Sequence, residues 1–571
     1  MGNTTSKQGD YQVLVKTSER KGAGSKARVH IALINRDGKR SKDYKIDTGF
    51  REELEKGGQN IFPINLKDFG EIAKVELWRD RRLGKNDWCV EWIMIRDNVR
   101  EDIYEFPINR WITAGGMRKR WSRYDSILPQ NDPDHIQRKK ELEMKRLQYL
   151  FHQKFPGLPA QVKDVPCDET FTTDYMKFIL STKMRMKIHT ELIMLTTKPF
   201  KTLKDIEDVY RYSFELPEAV HGWDNDRYFG NQAMNGCNPN VIQLCTEIPN
   251  NFGVTSQMVE PFLEGKTLDE CLQNNRIFIV DHKFLEGIPN ITVPMALYYS
   301  NDNNDLLPIA IQLYQQAASD NPVFLPSDPK YTWMMAKLWF NLADASHHEA
   351  CSHLALTHFI LETISVAVNR NLSPSHPLFR LVAPHLHFVM AINSRGLGRL
   401  LAKGGVFDTL FSMRLDGTHA VIAKAFEVWS FTEDGIFPEN LKKRKLYDAS
   451  ILPNYYNRED GIPIWEAIKT YVATIVKHYY PSNNDIVFDF ELQGFRATLV
   501  KTIEDGGCGF KDVPGTDGRI LTKEQVIDIF TTIIFTASGG HASTNFGQYD
   551  QYGFPPNYSP ILRGSPPTSK L

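Results

Sequence analysis

The 571-residue sequence has no surplus of either charge, with 68 Lys and Arg against 69 Asp and Glu and a net charge of −1. A basic field of the kind that binds nucleic acid is therefore excluded as an overall property. Cysteine is scarce: Cys89, Cys167, Cys237, Cys245, Cys271, Cys351 and Cys508 are all there is. Their odd number and irregular spacing do not describe a disulfide framework. Reduced, mostly buried thiols in a cytoplasmic protein are expected. No secretory apolar stretch opens the chain, and no uninterrupted apolar run reads as a bilayer span. No fixed-period repeat is present. With 42% apolar and 24% charged residues the chain is not a disordered one, and its length calls for two or more domains. At the start, Met1-Gly2-Asn3-Thr4-Thr5-Ser6 fits an N-myristoylation pattern. Chance in a polar terminus explains it as well, and one acyl chain would give only marginal peripheral membrane association.

The first hundred or so residues read as β-structure. Tyr11–Lys16, Arg28–Ile34, Ala73–Trp78, Trp88–Ile95 and Phe106–Ile112 are short runs of period-2 character with turn signals between them. That pattern predicts an antiparallel β-sandwich. Gly115-Gly116 and the basic Arg118-Lys119-Arg120 read as a linker, which divides the chain into residues 1–116 and 117–571. Beyond it the texture turns mainly α-helical. Ile136–Leu147 is a charged helix, and Trp333–Val368 is a long run without Gly or Pro, broken by Ser373-Pro374 and His376-Pro377. Lys523–Thr536 is a further helix, and the Pro-rich end of the chain is loop-like.

The chemistry is suggested by histidines. His348, His353 and His358, with His347 beside them, lie in one predicted helix, and His541-Ala542-Ser543-Thr544-Asn545 forms a second group. Imidazoles are the commonest neutral metal ligands, and two helices can close a site between them. His541 and Asn545 are about 40° apart on a regular helix and share a face, whereas His348 and His353 are about 140° apart. The latter two meet one metal only if the helix is locally widened to π geometry. Spacing leaves open that these are polar residues of a long helix with no metal. The H-E-x-x-H pair of zinc proteases is absent.

The stretch Trp333-Met334-Met335-Ala336-Lys337, Asp344, His348, Ser352-His353-Leu354, His358, His376-Pro377-Leu378-Phe379, Ile392-Asn393, Arg395 and Phe407-Asp408 resembles animal lipoxygenases. So do Phe535-Thr536, His541, Gly547-Gln548, Tyr552 and Pro556-Asn557, and the segment Asn235-Gly236-Cys237-Asn238-Pro239. The first domain resembles the family's PLAT sandwich, with Trp88 and Arg110-Trp111-Ile112 in place. The resemblance implies a non-haem iron dioxygenase that inserts O2 into a polyunsaturated fatty acid such as arachidonate. The iron ligands it implies are His348, His353, His541 and Asn545, with His358 a hydrogen-bonded histidine close to the metal. An amide oxygen from Asn545 is a weaker donor than a further imidazole and would raise the reduction potential. Arg395 is implied as the partner of the fatty-acid carboxylate. Gly396 is implied as the position that sets chirality: a methyl there shields one end of the substrate radical, and Gly uncovers it. An R hydroperoxide, 8R or 12R, is expected.

Two departures from the family pattern qualify that reading. The sequence stops at Leu571, before the C-terminal Ile whose carboxylate completes the family's ligand set, and the fifth ligand is thus not expected from Leu571. Lys26 stands near Gly24 where relatives often carry an acidic residue, and Ca²⁺ needs several oxygen ligands, so a strong calcium site is not expected. A chain without catalysis that only binds lipid, and an isomerase of fatty-acid hydroperoxides, are the competing functions.

Overall fold

A computed structural model describes residues 9–570 except 20–21, 47–53, 81–86, 113–117, 123–125, 133–134, 167–168, 172, 198 and 211–214. Gly2, Cys167 and Leu571 therefore lie outside the described residues. The N-terminal part contains strands β1 (Tyr11–Thr17), β2 (Val29–Asn35), β3 (Tyr44–Lys45), β4 (Gln59–Ile64), β5 (Ile72–Arg79), β6 (Trp88–Asp97), β7 (Ile103–Ile112) and β8 (Lys119–Ser122). They make two four-stranded sheets, β4-β1-β6-β7 and β3-β2-β5-β8, and every pairing is antiparallel. Alternation explains the layering: Tyr11, Val13 and Val15 of β1 point into the same core as Ile31 and Leu33 of β2 and Trp88 of β6. Trp88 Nε1 donates to Thr17 Oγ1 at 3.0 Å, so the indole is buried without an orphaned N–H.

The sandwich runs past the boundary expected at residue 116. β8 pairs with β5, and Trp121 is buried in the sandwich core. The basic stretch read as a linker is thus an edge strand with its preceding residue, held by one large apolar anchor. Lysine and arginine suit such an edge because they oppose further strand pairing. Arg118 lies over the Trp78 ring at 4.1 Å and pairs with Asp43.

The chain divides into two compact units, residues 1–149 with 164–196 and 372–380, and residues 150–163 with 197–371 and 381–571. The second unit holds a four-stranded antiparallel sheet, Gln243–Leu244, Ile277–Asp281, Met295–Ser300 and Leu306–Gln312, and a set of helices. At its centre is one continuous helix of 42 residues, Lys330–Asn371. Pro329 precedes it and Ser373-Pro374 follows it, as helix punctuation requires. By length and composition alone this helix passes as a membrane span, but 89% of its most apolar window is buried inside the protein. A helix apolar on all sides is at home in such a core. The six cysteines among the described residues are buried.

Candidate metal centre

The middle of the long helix, His348–Phe359, is π-helical. Each turn there holds more residues than an α-turn, so side chains five apart become near neighbours. The widening that the histidine spacing demanded is present, and it acts on both His348/His353 and His353/His358. A second π-helical turn, Thr536–Gly540, lies between the helix Lys523–Phe535 and the short helix His541–Asn545. The first of these helices starts from a capping box in which Thr522 and Gln525 satisfy each other's backbone N–H groups.

The side chains that converge are His353, His358 and His541, whose ligand atoms all lie within 4.8 Å of one another. Nε2 of His358 is 3.2 Å from Nε2 of His353 and 3.1 Å from Nε2 of His541. The far side of each ring explains this orientation. His353 Nδ1 lies 3.1 Å from Glu349 Oε2, and since a carboxylate only accepts, Nδ1 carries the proton. The Gln548 amide lies 3.0 Å from the same nitrogen, and a proton on Nδ1 requires the amide oxygen, not its NH2, to face it. His358 Nδ1 donates to Asn393 Oδ1 at 2.9 Å. Burial would push the Glu349 carboxyl up, but its hydrogen bond with His353 holds it below the usual range. Burial also pushes His358 down to about 3 and His541 down to about 4, so both rings are neutral at physiological pH.

These protonation sites provide the test of whether a metal fits. With both protons on Nδ1, His353 and His358 set two lone pairs face to face at 3.2 Å. Two buried acceptors in that arrangement repel unless a cation lies between them. A metal–nitrogen bond of about 2.1 Å places ligands at right angles about 3 Å apart, close to both observed separations and shorter than a tetrahedral site would give. Neutral nitrogen donors with outer nitrogens fixed by a carboxylate and an amide are the arrangement of a histidine metal site. The residues present fit an iron ion.

His348, expected among the ligands, is not part of this cluster. Its Nε2–H donates to the Thr544 carbonyl at 2.7 Å, and its Nδ1 accepts from the Tyr552 hydroxyl at 2.8 Å. Both ring nitrogens are therefore used, and the ring stacks on His353 at 5.9 Å without turning a lone pair to the other Nε2 atoms. The correction is His358 in place of His348. Its signal was in the sequence, because the widening argument made for residues 348 and 353 applies unchanged to 353 and 358. Asn545 is half-buried one turn beyond His541 on the same helix, as expected from the spacing. Arg395 and Gly396 are half-buried on the helix Val389–Arg399, which also carries Asn393. A methyl built on Gly396 would meet only Leu400 Cδ1, at 3.9 Å, so packing does not require glycine there.

The segment after the second helix is fastened to the long helix by buried polar groups. Tyr558 OH bonds Asp344 Oδ2, Asn341 Nδ2 donates to the Asn557 carbonyl at 2.8 Å, and Asn238 Nδ2 donates to Asp344 Oδ1 at 2.7 Å. His282 pairs with the same Asp344 at 3.0 Å. Tyr558 in turn packs edge-on against Tyr552 at 4.8 Å, and Tyr552 lies beside His348 at 5.7 Å between ring centres.

Residues 116–570 match the family model for lipoxygenase, and residues 11–122 match that for the PLAT/LH2 domain. The allene oxide synthase-lipoxygenase protein of Plexaura homomalla is 31% identical over 604 residues, which cover 98% of this chain and 56% of that longer protein. The chain thus spans little more than half the length of that relative. The mouse polyunsaturated fatty acid lipoxygenase ALOX8 is 30% identical, with 98% of this chain and 86% of that protein covered. Among solved structures, coral 8R-lipoxygenase, described as calcium-activated through a C2-like domain, superposes with a TM-score of 0.88 at 31% identity, covering 98% of this chain and 86% of that one. A lipoxygenase in complex with arachidonate gives 0.89 at 32% identity with the same coverage.

Proposed function

This chain belongs to the lipoxygenase family of oxidoreductases, and from that premise we propose that it is a non-haem iron dioxygenase converting a polyunsaturated fatty acid and O2 into a hydroperoxide. The observation that carries the proposal is the convergence of three imidazole Nε2 atoms from two helices. His353, His358 and His541 would hold the iron, with the Asn545 amide as a further oxygen donor. Bound iron supplies the one-electron redox partner for removing a hydrogen from the carbon between two cis double bonds. The protein's own share is to keep Nδ1 of His353 and His358 protonated, so that Nε2 stays available, and to hold the rings in place through Glu349 and Asn393. Arg395 receives the substrate carboxylate as a charge-assisted partner.

The product is proposed to be an R hydroperoxide, 8R or 12R from arachidonate. Support comes from open space at Gly396 and from relatives named for R products, coral 8R-lipoxygenase and mouse 12R-type arachidonate lipoxygenase. Exposed Lys26 in the PLAT loop supports activity that does not depend on calcium. A lipid surface is the proposed source of substrate: the helix Thr173–Thr196 exposes Phe178, Leu180, Met184, Ile188 and Leu195 among Lys183, Arg185 and Lys187.

Iron analysis with conjugated-diene absorbance on arachidonate tests the central reading. One iron per chain and diene formation are expected; a chain that binds no iron ends the proposal. Chiral chromatography tests the finer one, with Gly396→Ala expected to shift the product from R towards S. An S product from the unaltered chain overturns the chirality assignment. Supplying a hydroperoxide instead of the free acid separates out isomerase activity, which a relative named hydroperoxide isomerase, mouse ALOXE3, makes worth measuring.

A further inference from the structure

The carboxylate of Glu362 sits four residues beyond His358 on the long helix and is 1% exposed. Nothing in the chemistry described above uses it, yet burying an acid is unfavourable, and burial pushes this carboxyl up to about 7 against the opposing pull of Asn393, Val162 and Lys154. Its two oxygens are both engaged by N–H donors. Oε1 accepts from the Val162 backbone at 3.1 Å, in the two-stranded ribbon Phe151–His152 and Gln161–Val162. Oε2 accepts from Asn393 Nδ2 at 2.8 Å. The same Nδ2 donates its second hydrogen to the His358 carbonyl at 2.8 Å. The Asn393 amide is thereby fixed in one of its two orientations, with Oδ1 turned to His358 Nδ1 at 2.9 Å.

We propose that Glu362 is a positioning residue that locks the tautomer of His358 through Asn393, and so keeps the His358 Nε2 lone pair free for the metal. An oxygen facing Nδ1 requires the proton to be on Nδ1. The reversed amide would set Oδ1 against the Glu362 carboxylate and the His358 carbonyl together. It would also turn an N–H donor towards Nδ1 and drive the ring proton to Nε2, where it blocks coordination. Removing the acceptor oxygen at 362 leaves only the His358 carbonyl to choose between the two orientations. Glutamine at 362 goes further, because its NH2 must face either the Val162 N–H or the Asn393 NH2.

This inference rests on the metal-centre reading for its purpose but not for its geometry, and two measurements keep the two apart. Metal-free protein labelled with ¹⁵N-histidine reports the tautomer directly, with the His358 signals assigned by their loss in His358→Gln. The expected result is the Nδ1–H form in the unaltered protein and a mixture with Nε2–H in Glu362→Gln. Titration of metal-free protein with Fe(II) should show Glu362→Gln and Asn393→Ala each binding iron roughly 10–100-fold more weakly. The double variant should bind no more weakly than the worse single, because both act along one chain. Melting temperatures of the metal-free variants separate loosened packing from this effect. An Nε2–H tautomer in the unaltered protein overturns the proposal. So does unchanged iron affinity in Glu362→Gln, or a double-variant loss equal to the product of the singles. Should Glu362→Gln not fold, the spectrum of the unaltered protein and the affinity of Asn393→Ala decide. If the unaltered protein shows the Nδ1–H form but binds no iron, only the functional reading falls.

Discussion

His348 and His358 stand at equal distances along the chain from His353, one before it and one after it, on the same π-helical stretch. The first turn of that stretch delivers His348 to a backbone carbonyl and a tyrosine hydroxyl. The last delivers His358 to two other imidazole nitrogens. Helical phase is the same in both cases, so it cannot be what distinguishes a ligand from a structural histidine. What differs is the partner of the second nitrogen. Asn393 accepts a hydrogen bond from the Nδ1–H of His358 on the outer side and leaves the inner side with a lone pair. Thr544 and Tyr552 consume both nitrogens of His348.

The comparison is broken most directly by exchanging the consequences of losing each ring. His358→Ala should lose bound iron and diene-forming activity by more than the roughly 100-fold that losing an outer-shell partner costs, with iron per chain measured after gel filtration. His348→Phe should keep its iron; if it loses iron as His358→Ala does, the assignment of the two rings is wrong. Next in size is Glu349→Gln, which weakens the hold on the His353 Nδ1 proton. Iron affinity should fall roughly 10–100-fold with little change in the metal-free melting temperature. The effect of His348→Phe belongs to stability instead. The Thr544 carbonyl loses its donor, and a loss of about 1–3 kcal/mol in urea unfolding is expected.

The smallest effect concerns pH, and it sharpens the same contrast at the structural end of the stretch. Burial, with His282 nearby, pushes His347 down to about 3, and burial lowers His348 as well. Above about pH 6.5 these rings are neutral in folded and unfolded chains alike, so they contribute no pH dependence. Below it the unfolded chain takes up protons that the folded chain refuses, and stability falls as the pH drops towards about 3. Each such ring contributes at most about 1.36 kcal/mol per pH unit. Unfolding midpoints of metal-free protein at pH 7.5, 6 and 5 should decline in that order, and His347→Leu should flatten the decline.

Much of the fold could be read from residue patterning. β1, β2, β5, β6 and β7 fall on the short apolar runs read as strands, but burial alternates strictly only in β1 and in residues 103–108 of β7, whereas β2, β5 and β6 also bury consecutive residues. The long helix follows from a stretch without Gly or Pro bounded by prolines. β8 escaped because its basic residues look like a solvated connector, and the single buried Trp121 that anchors it has no periodic signal. In the site, the motif carried His353, His541 and the position of Asn545. Asn393 and Gln548 were visible only as motif residues without a role, and Glu362 gave no signal, since a glutamate in a helix is expected to face water.

The sequence by itself determined the two-part architecture, the need for a π-helical widening and the family's histidine groups, because these follow from local periodicity and residue type. Tertiary structure alone decided which histidines share a metal. That choice depends on which nitrogen of each ring meets a donor or an acceptor from a distant segment: Thr544 and Tyr552 for His348, Asn393 and through it Glu362 for His358. Either nitrogen of a histidine ring can carry the proton until its surroundings assign it, and no spacing along one helix can make that assignment.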